Sequence, residues 1–274
     1  MTRILALDRG NDALKAALFD GGAIVGRWRT RGGRPDDALL AIARDIARDA
    51  ANAAGAGVSK RERALLRDAL LGSVMFHSVV FSSVDPRWAE EVKRALRRMG
   101  ASRILEASAK LEYPFAILVD RPSKTGPDRL AAAAGVAAAG CREAVIVDAG
   151  TAITVDVLSK EGFLGGAIFP GTALLYRALH DGTAALPLVR GSAGEAELPG
   201  RNTKDAIAAG VEAGAIGAVK ELVARSRRRV SRKAGIWVTG GGGASLAASL
   251  GRETRFEPDL VLRGLSRLFD LNCR

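Results

Sequence analysis

Two apolar runs far apart in the chain end alike. Ile4-Leu5-Ala6-Leu7 runs into Asp8-Arg9-Gly10-Asn11, and Val145-Ile146-Val147 runs into Asp148-Ala149-Gly150-Thr151. Each part of this pattern has a use beside a phosphate. Glycine lets the backbone turn sharply and come close to a ligand. Exposed N–H groups in such a turn form an anion-binding concavity. Asn11 and Thr151 bring side-chain donors. Asp8 and Asp148 can hold a metal ion directly or through water, and Mg²⁺ keeps several of its waters. A lone Asp-x-Gly marks many ordinary hairpin turns. The paired occurrence, each after a buried strand and before an alternating one, is what points to a metal–nucleotide complex. A third stretch, Thr239-Gly240-Gly241-Gly242-Gly243-Ala244-Ser245, is a strand running into glycines and then a helix, which fits close approach to a nucleotide at a helix N-terminus. There is no Walker A loop and no protein-kinase motif set.

These residues need strands and helices to hold them. Strands are predicted over 4–8, 14–19 and 23–28, with Asp20-Gly21-Gly22 as a hairpin turn. A helix is predicted over 36–54, with Leu39, Ile42, Ala43 and Ile46 on one side and Asp36 capping its start. A strand over 79–84 follows, then a helix over 86–99 with Trp88, Val92, Leu96 and Met99 as its inner face, and a short strand over 103–106. After a looser stretch, 108–127, an alanine-rich helix covers 128–139. The second half then reads strand 144–148, hairpin 151–158 with 162–168, helix 174–179, loop 191–199, helix 203–225, strand 235–239, helix 244–250 and helix 260–271. The duplicated strand–loop–hairpin repeats a supersecondary unit, not a short solenoid period. The expected fold is therefore α/β, two like domains with a central interdomain cleft, divided into 1–118 and 119–274.

Composition sets outer limits. The chain has 274 residues with 48% hydrophobic residues, enough for a substantial core in one large domain or two medium ones. No apolar run approaches the roughly 20 residues that a membrane span needs. The opening residues read as a strand and lack a basic leader with an apolar core, so a cytoplasmic protein is expected. Cys141 and Cys273 stand far apart, and His77 and His180 lack metal-ligand spacing. A net charge of +11 attracts anions. The densest basic cluster, Arg225, Arg227, Arg228, Arg229, Arg232 and Lys233, reads as a solvated helix end. Without interleaved aromatics or a helix-turn-helix, nucleic acid is not an expected partner.

At Thr125-Gly126-Pro127-Asp128-Arg129-Leu130 the sequence resembles the type III pantothenate kinases. The likeness continues through Asp148-Ala149-Gly150-Thr151-Ala152-Ile153-Thr154-Val155-Asp156 and Gly165-Gly166-Ala167-Ile168-Phe169-Pro170-Gly171. It extends through Arg177–His180, Thr183–Val189 and Asn202-Thr203, and so runs nearly the whole chain. The resemblance implies the actin-like ATPase (ribonuclease H-like) fold and ATP-dependent phosphorylation of pantothenate, the first step of coenzyme A biosynthesis. It implies Mg²⁺ with ATP, a monovalent cation (K⁺ or NH₄⁺), and a homodimer.

Carried over position by position, Asp128 is the general base for the pantothenate hydroxyl. The first ATP phosphate loop is Asp8, Arg9, Gly10, Asn11, Asp12, Ala13, Leu14 and Lys15, and Thr151 is a further ATP contact. Gly126, Pro127, Asp128, Arg129 and Thr203 contact pantothenate, and Asp148 is the monovalent-cation ligand. Read without the resemblance, Asp128 is an ordinary helix cap, as is Thr203.

Two positions depart from the family pattern. Asp12 stands where members carry Thr or Ser, a carboxylate beside phosphates that Arg9 and Lys15 are expected to balance. Val119 stands where many members have a pantothenate-contacting Tyr, with Tyr113 too early to replace it. An alternative reading is a catalytically impaired relative with a regulatory, accessory-factor role. A third is a sugar or acyl kinase of the same superfamily, against which the Gly-Pro-Asp-Arg loop speaks.

Overall fold

The computed structural model describes residues 3–31, 33–53, 77–191 and 197–273. The chain divides into two compact units. The first takes Met1–Tyr113, Gly126–Ala131 and Leu262–Arg274, and the second takes Pro114–Thr125 and Ala132–Val261.

The first unit is built on β1 (Arg3–Arg9), β2 (Ala13–Asp20), β3 (Ala23–Arg31), β4 (Ser78–Ser83) and β5 (Arg103–Glu106), in the sheet order β3-β2-β1-β4-β5. β1–β2 and β2–β3 are antiparallel, while β1–β4 and β4–β5 are parallel. β1 is central and apolar on both faces, so Ile4 to Leu7 are all buried. β3 lies at the edge and alternates strictly, with Trp28 turned to the core and Arg27 and Arg29 outward. It runs to Arg31, past the predicted end at 28, because its alternation carries on in the register of β2.

Helices α1 (Pro35–Ala53) and α2 (Pro86–Arg98) cover one face. Leu39, Ile42, Trp88, Val92 and Leu96 meet Leu5, Leu7, Ala16, Leu18, Val79 and Phe81 there. Burying side chains of this size stabilises by about 1.5–3 kcal/mol each. Asp85 caps α2, its carboxylate accepting the Arg87 N–H at 2.9 Å. Asp36 does not cap α1. The helix begins at Pro35, whose missing N–H costs nothing in a first turn, and the Asp36 carboxylate instead accepts from Arg98 at 2.6 Å.

The second unit repeats the plan. β7 (Ala144–Ala149), β8 (Ala152–Leu158), β9 (Gly162–Pro170), β10 (Gly235–Thr239) and β11 (Thr254–Phe256) stand in the order β11-β10-β7-β8-β9, and β6 (Ala116–Ile117) adds an outer strand beside β9. Read from β9, this is the first unit's order, with the same two antiparallel and two parallel pairings. β6 and β11 were not predicted; they are too short to show alternation, and pairing with a neighbour defines them.

The remaining helices are α3 (Pro127–Ala138), α4 (Thr172–Asp181), α5 (Thr203–Ser226), α6 (Gly243–Leu250) and α7 (Leu260–Asn272). Val145, Val147 and Val155 of the sheet pack on Val219 and Val223 of α5 and Leu246 of α6. α3 begins in a segment of the first unit, and α7 ends in one. There Asn272 Oδ1 accepts the Glu112 N–H at 2.9 Å, and Arg103 donates to the Cys273 carbonyl at 3.1 Å. No described helix is long and apolar enough to cross a membrane.

Candidate active-site loops

In the first unit, register lines up one row of side chains on one face of the sheet. Asp8 of β1 sits between Lys15 of β2 and Ser82 of β4. The Ser82 hydroxyl donates to Asp8 Oδ1 at 2.7 Å. Asp8 is 7% exposed, and burial pushes its carboxyl above the usual carboxylate range. Lys15 and the Ser82 hydroxyl pull it back, and the charge of Asp128 adds a smaller push upward. Asp128 therefore acts on Asp8 within this unit, although the two are far apart in sequence.

Asp128 lies in the first turn of α3, where a carboxylate is favoured by the helix dipole. Its Oδ1 accepts the Arg129 N–H at 2.9 Å. Gly126 leaves room for that carboxylate, since a side chain there would run into Asp128 Oδ1. Two residues on, Leu130 is fully buried and anchors the turn.

Beyond Asp8 the Gly10 N–H closes the turn onto the Ala13 carbonyl at 3.1 Å. A Cβ on Gly10 would have that carbonyl as its nearest neighbour, 3.9 Å away, so the turn is open. Asn11 and Asp12 are exposed at its tip. Arg9 does not share the face of Asp8 and Lys15. Strand alternation sends its side chain to the other face, in a row with Leu14 and Thr30, where Arg9 Nε and Thr30 Oγ1 are both buried without a hydrogen bond.

The second unit's loop starts from the same geometry. Asp148, next to last in β7, sits between Thr154 of β8 and Thr239 of β10, and the Gly150 N–H closes onto the Ala152 carbonyl at 3.1 Å. This loop is wedged in place. Gly240 has φ +92°, and a Cβ there would lie 2.5 Å from both the Ala149 carbonyl and Asp148 Oδ1. The Gly242 N–H donates to the Ala149 carbonyl at 3.0 Å, and the Gly171 N–H donates to the Thr151 carbonyl at 3.0 Å. The glycine run expected to approach a nucleotide makes close approach to the chain's own second loop.

The remaining predicted residues are placed as follows. Thr203 is exposed at the start of α5, and the cap there is Asn202, whose Oδ1 accepts the Asp205 N–H at 3.0 Å. Val119 is half-buried, its Cγ1 3.2 Å from where Gly165 would carry a Cβ. Tyr113 donates to the Ser108 carbonyl at 3.1 Å, and burial pushes its phenol up. It therefore serves its own loop. In the basic segment Arg225 pairs with Glu221 and Arg227 with Glu253, as a solvated helix end would. Among the described residues no group of three or more His, Cys, Asp or Glu side chains is arranged to hold a metal.

Sequence reasoning missed Ser82 and Gly171. Ser82 carried a usable signal: as a polar residue at the end of an apolar strand, it falls on Asp8's face once β4 is paired in register with β1.

The sequence model of the family described as type III pantothenate kinase matches residues 4–225. A type III pantothenate kinase from Halorhodospira halophila is 37% identical over 270 residues, covering 95% of each chain. Among solved structures, a Campylobacter jejuni protein named for the Baf family of transcriptional activators is similar with TM-score 0.56 and 20% identity, covering 97% of each chain. A 2-dehydro-3-deoxygalactonokinase-type protein from Sinorhizobium meliloti is similar with TM-score 0.55 and 16% identity, covering 97% of this chain and 98% of that one. With the two repeated sheets, these likenesses show an α/β fold of the actin-like ATPase and sugar-kinase class.

Proposed function

This chain belongs to the type III pantothenate kinase family, and from that premise we propose that it transfers the γ-phosphoryl group of ATP to the primary hydroxyl of pantothenate. The product is 4'-phosphopantothenate, which opens coenzyme A synthesis. The observation that carries this reading is the span of the family match, residues 4–225, which takes in every candidate site residue from Asp8 to Thr203.

In this reading Asp128 is the general base. The backbone bond from Arg129 holds one carboxylate oxygen and the helix start favours its charge, leaving Asp128 oriented to take the hydroxyl proton. The hydroxyl oxygen bonds to the γ-phosphorus as the bond from that phosphorus to the ADP oxygen breaks, and the proton ends on Asp128. Protein catalysis of phosphoryl transfer is mostly positioning and charge neutralisation. The open turn from Asp8 to Lys15 supplies N–H donors and the Lys15 ammonium to the ATP phosphates. Gly126, Pro127, Arg129 and Thr203 hold pantothenate.

A kinase of this family works on ATP with a divalent metal, here assigned to Mg²⁺. The buried Asp8 carboxylate, pushed toward neutrality by desolvation, suits a hydrated dication that would favour its charged form. Bound there, the metal would neutralise developing phosphate charge. Asp148 Oδ1 and the Ala149 carbonyl converge beside Gly240, an oxygen set that suits a monovalent cation, K⁺ or NH₄⁺. Thr151 serves ATP. The reading includes a homodimer in the cytoplasm.

The test is a coupled ADP-release assay with pantothenate, ATP, Mg²⁺ and K⁺. Turnover that depends on pantothenate and is lost in Asp128→Ala is expected. Wild-type turnover no higher than that variant's rejects the reading.

A further inference from the structure

The row that contains Asp8 does not end at Lys15. Lys15 is paired in register with Arg29 of β3, so Ser82, Asp8, Lys15 and Arg29 stand side by side on one face of the first unit's sheet. Arg31 is paired with Ala13, at the turn end of the same face, and Arg27 with Ala17, on the side away from the turn. Successive same-face residues are roughly 6.8 Å apart along a strand. Arg29 and Arg31 thus flank the loop, and Arg27 stands one step beyond it. All three are exposed.

Like charges directly opposite each other on neighbouring strands are destabilising. Lys15 and Arg29 are such a pair. Among the described residues, the structure gives neither Arg29 nor Arg31 an ion pair with a carboxylate. Charge on an edge strand has an ordinary use in discouraging sheet-to-sheet pairing. That use is served anywhere along β3 and does not call for cations at the two positions flanking the phosphate turn.

We infer that Arg29 and Arg31 form a polyphosphate subsite, continuing the Lys15 row, that takes the phosphates of the bound nucleoside triphosphate. An anion there relieves the Lys15–Arg29 repulsion, and the guanidinium of Arg29 offers paired donors to phosphate oxygens that the Lys15 ammonium cannot. The inference rests on the Asp8–Lys15 turn being the phosphate loop.

The experiment measures kcat, the ATP KM and the pantothenate KM for the wild type and for Arg29→Ala, Arg29→Lys, Arg31→Ala, Arg27→Ala and Lys15→Ala, with ATP binding titrated separately in the absence of pantothenate. Arg29→Ala is expected to raise the ATP KM and weaken ATP binding about tenfold, the loss of one charge-assisted contact. Arg31→Ala does the same to a smaller extent. Arg29→Lys recovers part of the loss, Arg27→Ala stays within about twofold, and the pantothenate KM is unchanged throughout. A thermal midpoint that rises in Arg29→Ala while the ATP KM stays put overturns the inference, because the charge then serves only the edge. A rise in the pantothenate KM alone also overturns it. If Lys15→Ala and Arg29→Ala both leave ATP binding intact, the phosphate-loop reading fails and the subsite falls with it. If Lys15→Ala weakens binding and Arg29→Ala does not, only the subsite fails.

Discussion

Asp8 and Asp148 both stand next to last in the central strand of a sheet with the same strand order, and in both turns a glycine N–H closes onto a carbonyl at 3.1 Å. Past that point the surroundings diverge. The Gly10 turn has open space around it, with Asn11 and Asp12 at a solvated tip and a row of cations on β2 and β3 beside it. The turn from Asp148 to Thr151 is crowded by Gly171 on one side and Gly240 and Gly242 on the other. The duplication supplied two copies of a strand-end carboxylate, and packing separated their uses. An open turn with a row of cations beside it can wrap a polyphosphate. A wedged one holds its oxygens fixed, as a site for a small cation requires.

The largest effect is expected where the first unit gathers residues that the second has no counterpart for. Asp128→Asn keeps the shape of the α3 start but removes the base, and kcat is expected to fall by about 10²–10⁴ with an unchanged melting curve. A fall of less than tenfold in single-turnover chemistry breaks the assignment of the base.

Asp8→Asn separates activity from stability. Burial raises the Asp8 pKa above its ordinary value of 3.8, so the folded state disfavours the carboxylate. Stability associated with this group is intact below pH 3.8, is lost as pH rises through the raised folded value, and stays lost at neutral pH. The Asn variant is therefore expected to melt higher than wild type at pH 7, with the gap closing in acid, while activity collapses. Melting scans across pH check it, and a lower midpoint at pH 7 contradicts it.

The packing contrast predicts unequal responses to one added methyl. Gly240→Ala forces a side chain onto a positive φ and into two oxygens, and is expected to cost about 3 kcal/mol, roughly 6–12 °C in Tm. Gly10→Ala is expected to cost under about 1 kcal/mol, since the nearest atom to its Cβ is the Ala13 carbonyl at an ordinary contact distance of 3.9 Å. Equal losses in denaturant melts would erase the distinction between the loops. The smallest effect is expected at Asp12, exposed at the open tip. Asp12→Thr should change kcat/KM for ATP by less than about threefold, as surface substitutions shift energies by about 0.5 kcal/mol. A gain above about tenfold in the coupled assay would mean that its carboxylate repels the phosphates.

Much of this was legible before any coordinates. The strand-end aspartates, the hairpins after them and the α3 segment with Asp128 were readable, because apolar runs, turn residues and helical periodicity are local signals. Ser82 was not read, since its link to Asp8 exists only through parallel pairing of β1 with β4. Asp36 was misread as a cap because Pro35, one residue earlier, already starts the helix. β6 and β11 carry no local pattern; they are strands because β9 and β10 offer them free edges.

By itself the sequence determined the duplicated α/β plan, the family and the chemically able residues, since these depend on residue type and short-range spacing. The tertiary structure alone decided which residues share a face. Register put Lys15 and Arg29 beside Asp8 and turned Arg9 away, and the positions of Gly171 and Gly240 made one Asp-x-Gly loop tight and left the other open. Pairing and close packing act between segments far apart in the chain, and no local pattern of residues encodes them.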